Sequence, residues 1–306
     1  GNKIFSMILM LLVIVIIIVM FMAWWFTNPL NSAIAVIKKM ADGHFDQRIE
    51  INDFLHTELA ELAESGNYMA EKLDMIETSR REFVSNVSHE LKTPLSSIKV
   101  LSDSILIQDP ENVPKEMYVE FLMDINSEVD RMTDIINDLL TLVRMNREEV
   151  HLNPMEINLT DMISDIVRRL EPIAKSKNIN LNYNKLKAVK AEIEETKFSL
   201  AVSNLIENAI KYNNDGGNVE VTVDADNQNA FVMIADDGVG IAEEELGKIF
   251  DRFYRVDKNR DRESGGTGLG LSIARSAVLM HNGTIKVSSK ENEGTTFVII
   301  IPLKQE

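Results

Sequence analysis

Hydrophobic and polar positions fall into three regimes along the chain. From 4 to 26 every residue except Ser6 is apolar and none is charged. At about 1.5 Å per residue, a helix of that length reaches about 34 Å, enough for a hydrocarbon core of about 30 Å. Trp24 and Trp25 close the run, where amphipathic aromatics favour the headgroup layer. A cleaved signal peptide would have a shorter apolar core and a small-residue cleavage site. A buried core helix seldom stays apolar on every face. A membrane-spanning helix is the expectation.

The second regime is heptad-like. Pro29 is placed to begin a new helix, and Leu30, Ile34, Ile37 and Ala41 repeat at coiled-coil spacing. Asp42-Gly43 ends that helix, and Phe45, Ile49 and Ile51 are candidates to anchor an extended connector. A second seam runs through Leu59, Leu62, Gly66, Met69, Leu73, Ile76, Arg80, Phe83 and Val87. This helix is predicted to pass Pro94 and end near residue 107, with a turn over 108–114. A further amphipathic helix is predicted over 115–147, with Phe121, Ile125, Val129, Met132, Ile136, Leu139 and Val143 as its seam. One such hairpin leaves a long apolar stripe uncovered. Pairing two hairpins into a four-helix bundle buries it, so a homodimer is expected.

From Asn153-Pro154 the period changes. An extended start at 155–159 precedes a helix over 160–176, and strands are predicted at 179–183 and 189–193 by alternation. A helix over 197–211, a hairpin at 219–223 and 230–235, a helix over 268–281 and two strands at 283–288 and 295–301 complete the pattern. Helices on one side of a mixed sheet make an α/β sandwich.

Composition narrows the chemistry. The 306 residues carry a formal net charge of −16, which argues against nucleic acid as a partner, since phosphate backbones need clustered Lys and Arg. There is no cysteine, so disulfides, thiolate zinc sites and cysteine nucleophiles are excluded. The chain opens Gly1-Asn2-Lys3 without an initiator methionine, and is expected to be part of a longer protein. Lys38, Lys39 and Arg48 after the span, against Lys3 before it, favour a cytoplasmic C-terminal side.

The densest chemistry surrounds His89, followed directly by Glu90 and, four residues on, by Thr93 before Pro94. An imidazole is a capable nucleophile near neutrality, and a neighbouring carboxylate can hold one ring nitrogen as donor while the other attacks. Farther on, Asn204, Asn208 and Lys211 share one helical face. A carboxamide oxygen suits Mg²⁺, and a lysine can meet phosphate. Asp236-Asp237-Gly238-Val239-Gly240 follows a strand, where a buried carboxylate can accept from an adenine amino group. Phe250-Asp251-Arg252-Phe253-Tyr254-Arg255 pairs aromatics with cations. In Gly265-Gly266-Thr267-Gly268-Leu269-Gly270-Leu271 a loop runs into a helix start that attracts phosphate. It is not a Walker P-loop, because no Gly-Lys-Ser/Thr follows, and no protein-kinase motif set accompanies it.

The two helices and connector after the span resemble the HAMP signal-relay module, with Glu58-Leu59 fitting the acidic opening of its second helix. The His89 segment resembles the dimerisation and phosphoacceptor domain of sensor histidine kinases. The four later motifs, in order, resemble the N box, first glycine box, F box and second glycine box of that family's catalytic domain, with Gly294-Thr295 as a closing glycine motif. That domain has the ATP-binding fold shared with gyrase, mismatch-repair and heat-shock chaperone ATPases (the Bergerat or GHKL type). The resemblance implies a multidomain protein: transmembrane helix 4–26, HAMP domain 27–78, four-helix-bundle dimerisation and histidine phosphotransfer domain 79–150, and α/β sandwich ATP-binding domain 151–306.

By position the resemblance makes His89 the phosphorylated residue, Glu90 the carboxylate that orients and deprotonates it, and Thr93 the hydroxyl that places water for dephosphorylating the partner. Asn208 becomes the Mg²⁺ ligand, with Asn204, Lys211 and Tyr212 lining the nucleotide and Asp236 contacting adenine. Gly238, Gly240 and Ile241 belong to the first glycine box. Val239–Lys258 and Gly266, Thr267, Gly268, Leu269, Gly270 and Leu271 would border a mobile lid. Arg252 and Arg255 are candidates to stabilise the γ-phosphate. The implied cofactors are ATP and Mg²⁺. The implied partners are a response-regulator receiver domain, a second copy of the chain and the cell membrane, with the catalytic portion cytoplasmic.

Overall fold

The heptad-patterned N-terminal part folds as long helices and the alternating C-terminal part as a helix-covered sheet. The computed structural model describes residues 2–50, 57–107, 114–145, 152–256 and 266–305. Residues 108–113 of the turn expected over 108–114, Ile51, the helix end at 146–147, Lys258 and Gly265 lie outside the described residues. Two units divide the chain, Gly1–Ser85 and Asn86–Glu306.

In the first unit α1 runs unbroken over Asn2–Ala41. Pro29 lies inside it and does not start a new helix, contrary to expectation. Proline forfeits one backbone bond, and the turns on either side each add one, so the helix can propagate through it. The chain turns at Asp42-Gly43, where the His44 amide donates back to the Lys39 carbonyl, 3.0 Å away. The connector is held at Ile49, as expected from its apolar side chain, which packs with Ala33 and Ala63. Asn67 adds a clamp that hydrophobicity does not reveal. Its Oδ1 accepts from the Ile49 amide (2.7 Å) and its Nδ2 donates to the Ile49 carbonyl (3.0 Å).

Helix α2 spans Thr57–Ile107 and carries Pro94 within it. The seams of this unit are uncovered in the single chain. Leu30, Ile34 and Ile37 on α1, and Leu62, Met69 and Ile76 on α2, stay exposed in the single chain, whereas the small residues Ala33, Ala63 and Ala70 are buried. Ile49 of the connector lies against the small residues Ala33 and Ala63.

In the second unit α3 spans Lys115–Met145. Ile135, Leu142 and Met145 form its buried side, while Leu122, Val129, Ile136 and Val143 remain exposed at seven-residue spacing. The expected seam thus mixes two faces, because a helix between two apolar neighbours carries two adjoining stripes.

The chain then forms β1 (Met155–Asn158), α4 (Leu159–Ser176), β2 (Asn180–Lys185), β3 (Lys190–Ile193), α5 (Glu195–Lys211), β4 (Asn218–Ala225) and β5 (Asn229–Asp236). A short 3-10 turn at Glu243–Glu245, α6 (Gly270–Met280), β6 (Thr284–Lys290) and β7 (Gly294–Pro302) follow. Asn158 caps α4 by accepting from the Thr160 amide at 3.2 Å and the Asp161 amide at 3.4 Å. β1 pairs antiparallel with β3, and the main sheet has the order β2-β4-β5-β7-β6. Its β2–β4 pair is parallel and the other three pairs are antiparallel.

Alternation sets the register. Val221, Ile234, Phe297 and Val287 stand side by side across four strands. Val219, Val221, Val223, Val232, Ile234, Ile299 and Ile301 are fully buried beside Phe198, Leu205, Ile206 and Ile210 of α5. One apolar sheet face under helices is what a period of two beside a period of 3.6 dictates. The open ends of β5 and β7 and the start of α6 meet at the functional site.

Candidate functional site

His89 is exposed on α2, open to an incoming group. Thr93, one turn later, donates its hydroxyl to the His89 carbonyl at 3.2 Å. Glu90 is half-buried, and its carboxylate lies 3.8 Å from the Arg255 guanidinium, whose side chain is only 7% exposed. Arg255 lies well beyond β5 in sequence, yet it reaches the histidine helix. A residue of the arginine-bearing motif therefore touches the neighbour of the histidine.

Two cavities meet behind Arg255. One, of about 320 Å³, is lined by Asn208, Tyr212, Asp236, Val239, Gly240, Ile241, Ile249, Tyr254, Arg255, Leu271, Asn292, Thr295 and Phe297 among others. The second, of about 370 Å³, is lined by Asp134, Asn137, Asp138, Asn204, Glu207, Asn208, Lys211, Tyr212, Tyr254, Arg255, Gly266, Thr267, Gly268, Gly270 and Leu271. Asn208, Tyr212, Arg255 and Leu271 belong to both walls.

The first cavity is mainly apolar with a carboxylate at one end. Asp236 Oδ1 accepts from the Gly238 amide (3.0 Å) and the Thr295 amide (3.3 Å). Burial pushes its carboxyl up to about 6; the two amides pull the other way and Asp237 adds to the rise. The wall needs glycine at two points. Gly240 has φ +67 and Gly294 φ +106. A Cβ on Gly240 would strike the Lys290 carbonyl, and one on Gly294 the Asp236 carbonyl. Backbone thus closes on Asp236 at Gly294 and on Lys290 at Gly240, where side chains would not fit. The aromatic motif supports the same wall, with Phe250 edge-on to Phe297 at 6.3 Å between centroids.

The second cavity is polar. Asn204 Nδ2 donates to the Gly270 carbonyl at 3.3 Å, which ties α5 to the start of α6. The Lys211 ammonium lies 4.9 Å from the Tyr212 ring centroid. The Phe253 amide donates to the Gly268 carbonyl at 2.9 Å, joining the aromatic motif to the second glycine motif. Phe253 itself sits at φ +64, costly for a bulky residue and tolerated where surrounding structure enforces it.

Of the residues expected to hold the nucleotide, three do not line either cavity. Gly238 serves through its amide on Asp236, Leu269 is fully buried, and Arg252 is exposed. Conversely, Asp134, Asp138, Glu207 and Asn292 line the cavities without having been singled out in the sequence, and Tyr254 and Thr295 join them from within the aromatic and closing glycine motifs. Glu207 lies between Asn204 and Asn208 in one motif, and that position is its only sequence signal. Asp138 has none, since it reaches the cavity from α3.

An α/β nucleotide-type pocket beside a histidine-bearing helical hairpin defines the class, and comparison with known proteins agrees. Residues 193–305 match the family described as histidine kinase-, DNA gyrase B- and HSP90-like ATPase. Residues 79–148 match the His Kinase A phospho-acceptor domain, and residues 21–75 the HAMP domain. The chain is 37% identical over 239 residues to the sensor histidine kinase WalK of Bacillus subtilis (strain 168), covering 77% of this chain and 38% of that protein. It is 38% identical over 232 residues to the sensor protein kinase WalK of Staphylococcus aureus, covering 74% of this chain and 54% of that protein. The chain belongs to the sensor histidine kinases of two-component systems. It spans 38% and 54% of these two relatives.

Two solved structures share its fold. Acinetobacter baumannii histidine kinase AdeS has a TM-score of 0.55 at 22% identity, covering 70% of this chain and 98% of that one. Histidine kinase ThkA, in complex with response regulator protein TrrA, has a TM-score of 0.56 at 24% identity, covering 76% and 66%.

Proposed function

We propose that this chain moves the terminal phosphoryl group of ATP to His89, and from there to an aspartate of a response-regulator receiver domain. The observation that carries the reading is Arg255, which lines both cavities and pairs with Glu90, the residue next to His89. In the reaction an unprotonated ring nitrogen of His89 bonds to the γ-phosphorus as the bond to the ADP oxygen breaks. Glu90 holds the proton of the other ring nitrogen, and Arg255 offsets charge on the transferred group. Little covalent work falls to the pocket; positioning and charge dominate.

Asp236 accepts from the adenine amino group in the apolar cavity, bordered by Gly240 and Ile241. Lys211, Asn204, Tyr212 and the Gly266–Leu271 stretch face the phosphates in the polar one. Asn208 stands where the two cavities join, and its hard carboxamide oxygen fits Mg²⁺. The ion, when bound there, would neutralise phosphate charge. Thr93, one turn from His89, is assigned the placing of water when the same protein dephosphorylates its regulator.

The exposed stripes at Leu122, Val129, Ile136 and Val143, and at Leu62, Met69 and Ile76, support burial against a second copy in a homodimer. α1 is long and apolar enough to cross a membrane, and none of its apolar window is buried within the chain. We assign it to the cell membrane with the catalytic portion cytoplasmic, where ATP is found.

The test is labelling from γ-labelled ATP in the full chain. We expect acid-labile, base-stable label in the wild type and none in His89→Gln, which should still bind ATP. Label on another side chain, or label that survives His89→Gln, would overturn the reading.

A further inference from the structure

Thr267 joins two parts of the fold that lie 129 positions apart in sequence. Its Oγ1 donates to Asp138 Oδ2 on α3 at 2.7 Å and accepts from the Leu269 amide at 3.2 Å. Leu269 directly precedes α6, whose first residue is Gly270. The start of a helix presents amides and a partial positive charge that draw anions. A carboxylate of the histidine-bearing hairpin is therefore coupled, through one hydroxyl, to the anion-attracting end of α6.

Asp138 is not alone there. Asp134, one turn earlier, and Glu207 of α5 line the same cavity, with Lys211 as a counter-charge. Burial raises the Asp138 carboxyl, the Thr267 hydroxyl pulls it down, and Asp134 raises it further. Like charges in a partly buried space oppose any further negative charge.

We propose that Asp138 is a specificity-determining residue for phosphate number: while α3 is fastened to Thr267, its carboxylate opposes each phosphate entering the cavity, so hairpin docking and triphosphate binding compete for the start of α6. This rests on the reading that the cavity takes ATP. Adenosine, which places no charge there, escapes the competition. By linkage, whatever loosens α3 favours the triphosphate, and the triphosphate in turn loosens α3.

The experiment is calorimetric titration of the full chain in lipid nanodiscs with adenosine, ADP and ATP, each in EDTA and again with Mg²⁺. Asp138→Asn keeps the shape and removes the charge; it should tighten ATP about three- to tenfold, ADP less, and adenosine not at all. Asp138→Glu, which keeps the charge, should not tighten ATP. Asp134→Asn, at an exposed position, should move ATP in the same direction by less, and serves should the first variant fail to fold. An equal change for all three ligands would make Asp138 merely structural and overturn the proposal. Weaker Mg-ATP binding in Asp138→Asn would make it a ligand-holding group and overturn the proposal too, as would no change at all. A wild type that binds none of the three overturns the ATP reading itself, and this proposal with it.

Discussion

Replacing Asp236 by asparagine should make the protein more stable and cost it its nucleotide. The folded protein holds the Asp236 proton up to about pH 6, against an ordinary value of 3.8, because burial penalises the carboxylate. Ionisation therefore adds nothing below about pH 4, costs progressively more as pH rises towards 6, and costs a constant amount above it. At about 1.4 kcal/mol per pH unit this amounts to at most about 3 kcal/mol. The group keeps partial access to solvent, which screens it, so about 1–2 kcal/mol is expected. Asparagine carries no such cost, and its amide oxygen can still accept from the Gly238 and Thr295 amides.

Urea melts at about pH 7.5 should thus show Asp236→Asn more stable by that amount, with the gap closing near pH 4. Nucleotide binding should move the other way. Losing a charged acceptor for the adenine amino group costs about 1.5–3 kcal/mol, at least tenfold in affinity. Wild-type affinity should also decline as pH falls through about 6, while the variant stays flat. A variant less stable than wild type at pH 7.5, or one with unchanged affinity, would refute the reasoning.

Further outcomes follow from other residues. Asn208→Ala should cripple Mg-ATP-dependent labelling while leaving the oligomeric state unchanged, as measured by phosphotransfer assay and light scattering. Thr93→Ala should reduce dephosphorylation of the regulator more than autophosphorylation; equal loss of both would contradict the water-placing role. His281 is fully buried, and its Nδ1 must donate to the Ala277 carbonyl (2.7 Å) while Nε2 accepts from the Glu194 amide (3.0 Å). His281→Ala should cost about 2–4 kcal/mol in a urea melt, from the cavity and the stranded amide. Burial lowers the His281 pKa, so its contribution is full above about pH 6.5 and declines as pH drops through that value, by up to about 1.4 kcal/mol per unit. The wild-type advantage over the variant should shrink accordingly between about pH 7 and pH 5.

Sequence by itself determined the elements and most of the chemistry. An unbroken apolar run, three-four spacing and strict alternation are local properties, and each has one regular structure that buries it well. So α2 passes Pro94 and ends at Ile107, and the strands of the main sheet appear where alternation placed them. Motif residues with a fixed helical offset, such as Asn204, Asn208 and Lys211, also fell together on one cavity wall.

Tertiary structure alone decided what depends on neighbours distant in the chain. The packing of Ile49 on Ala33 and Ala63, and its clamp by Asn67, joined positions that no local spacing connects. Arg255 lines the cavities, held by Glu90 of a distant helix, while Arg252 is exposed. Asp138 reached Thr267 across the fold, and Asp236 acquired its raised carboxyl from burial. Spacing can say which residues share a face. Burial and charge, which set reactivity, are sums over everything packed nearby, and only the folded chain supplies that sum.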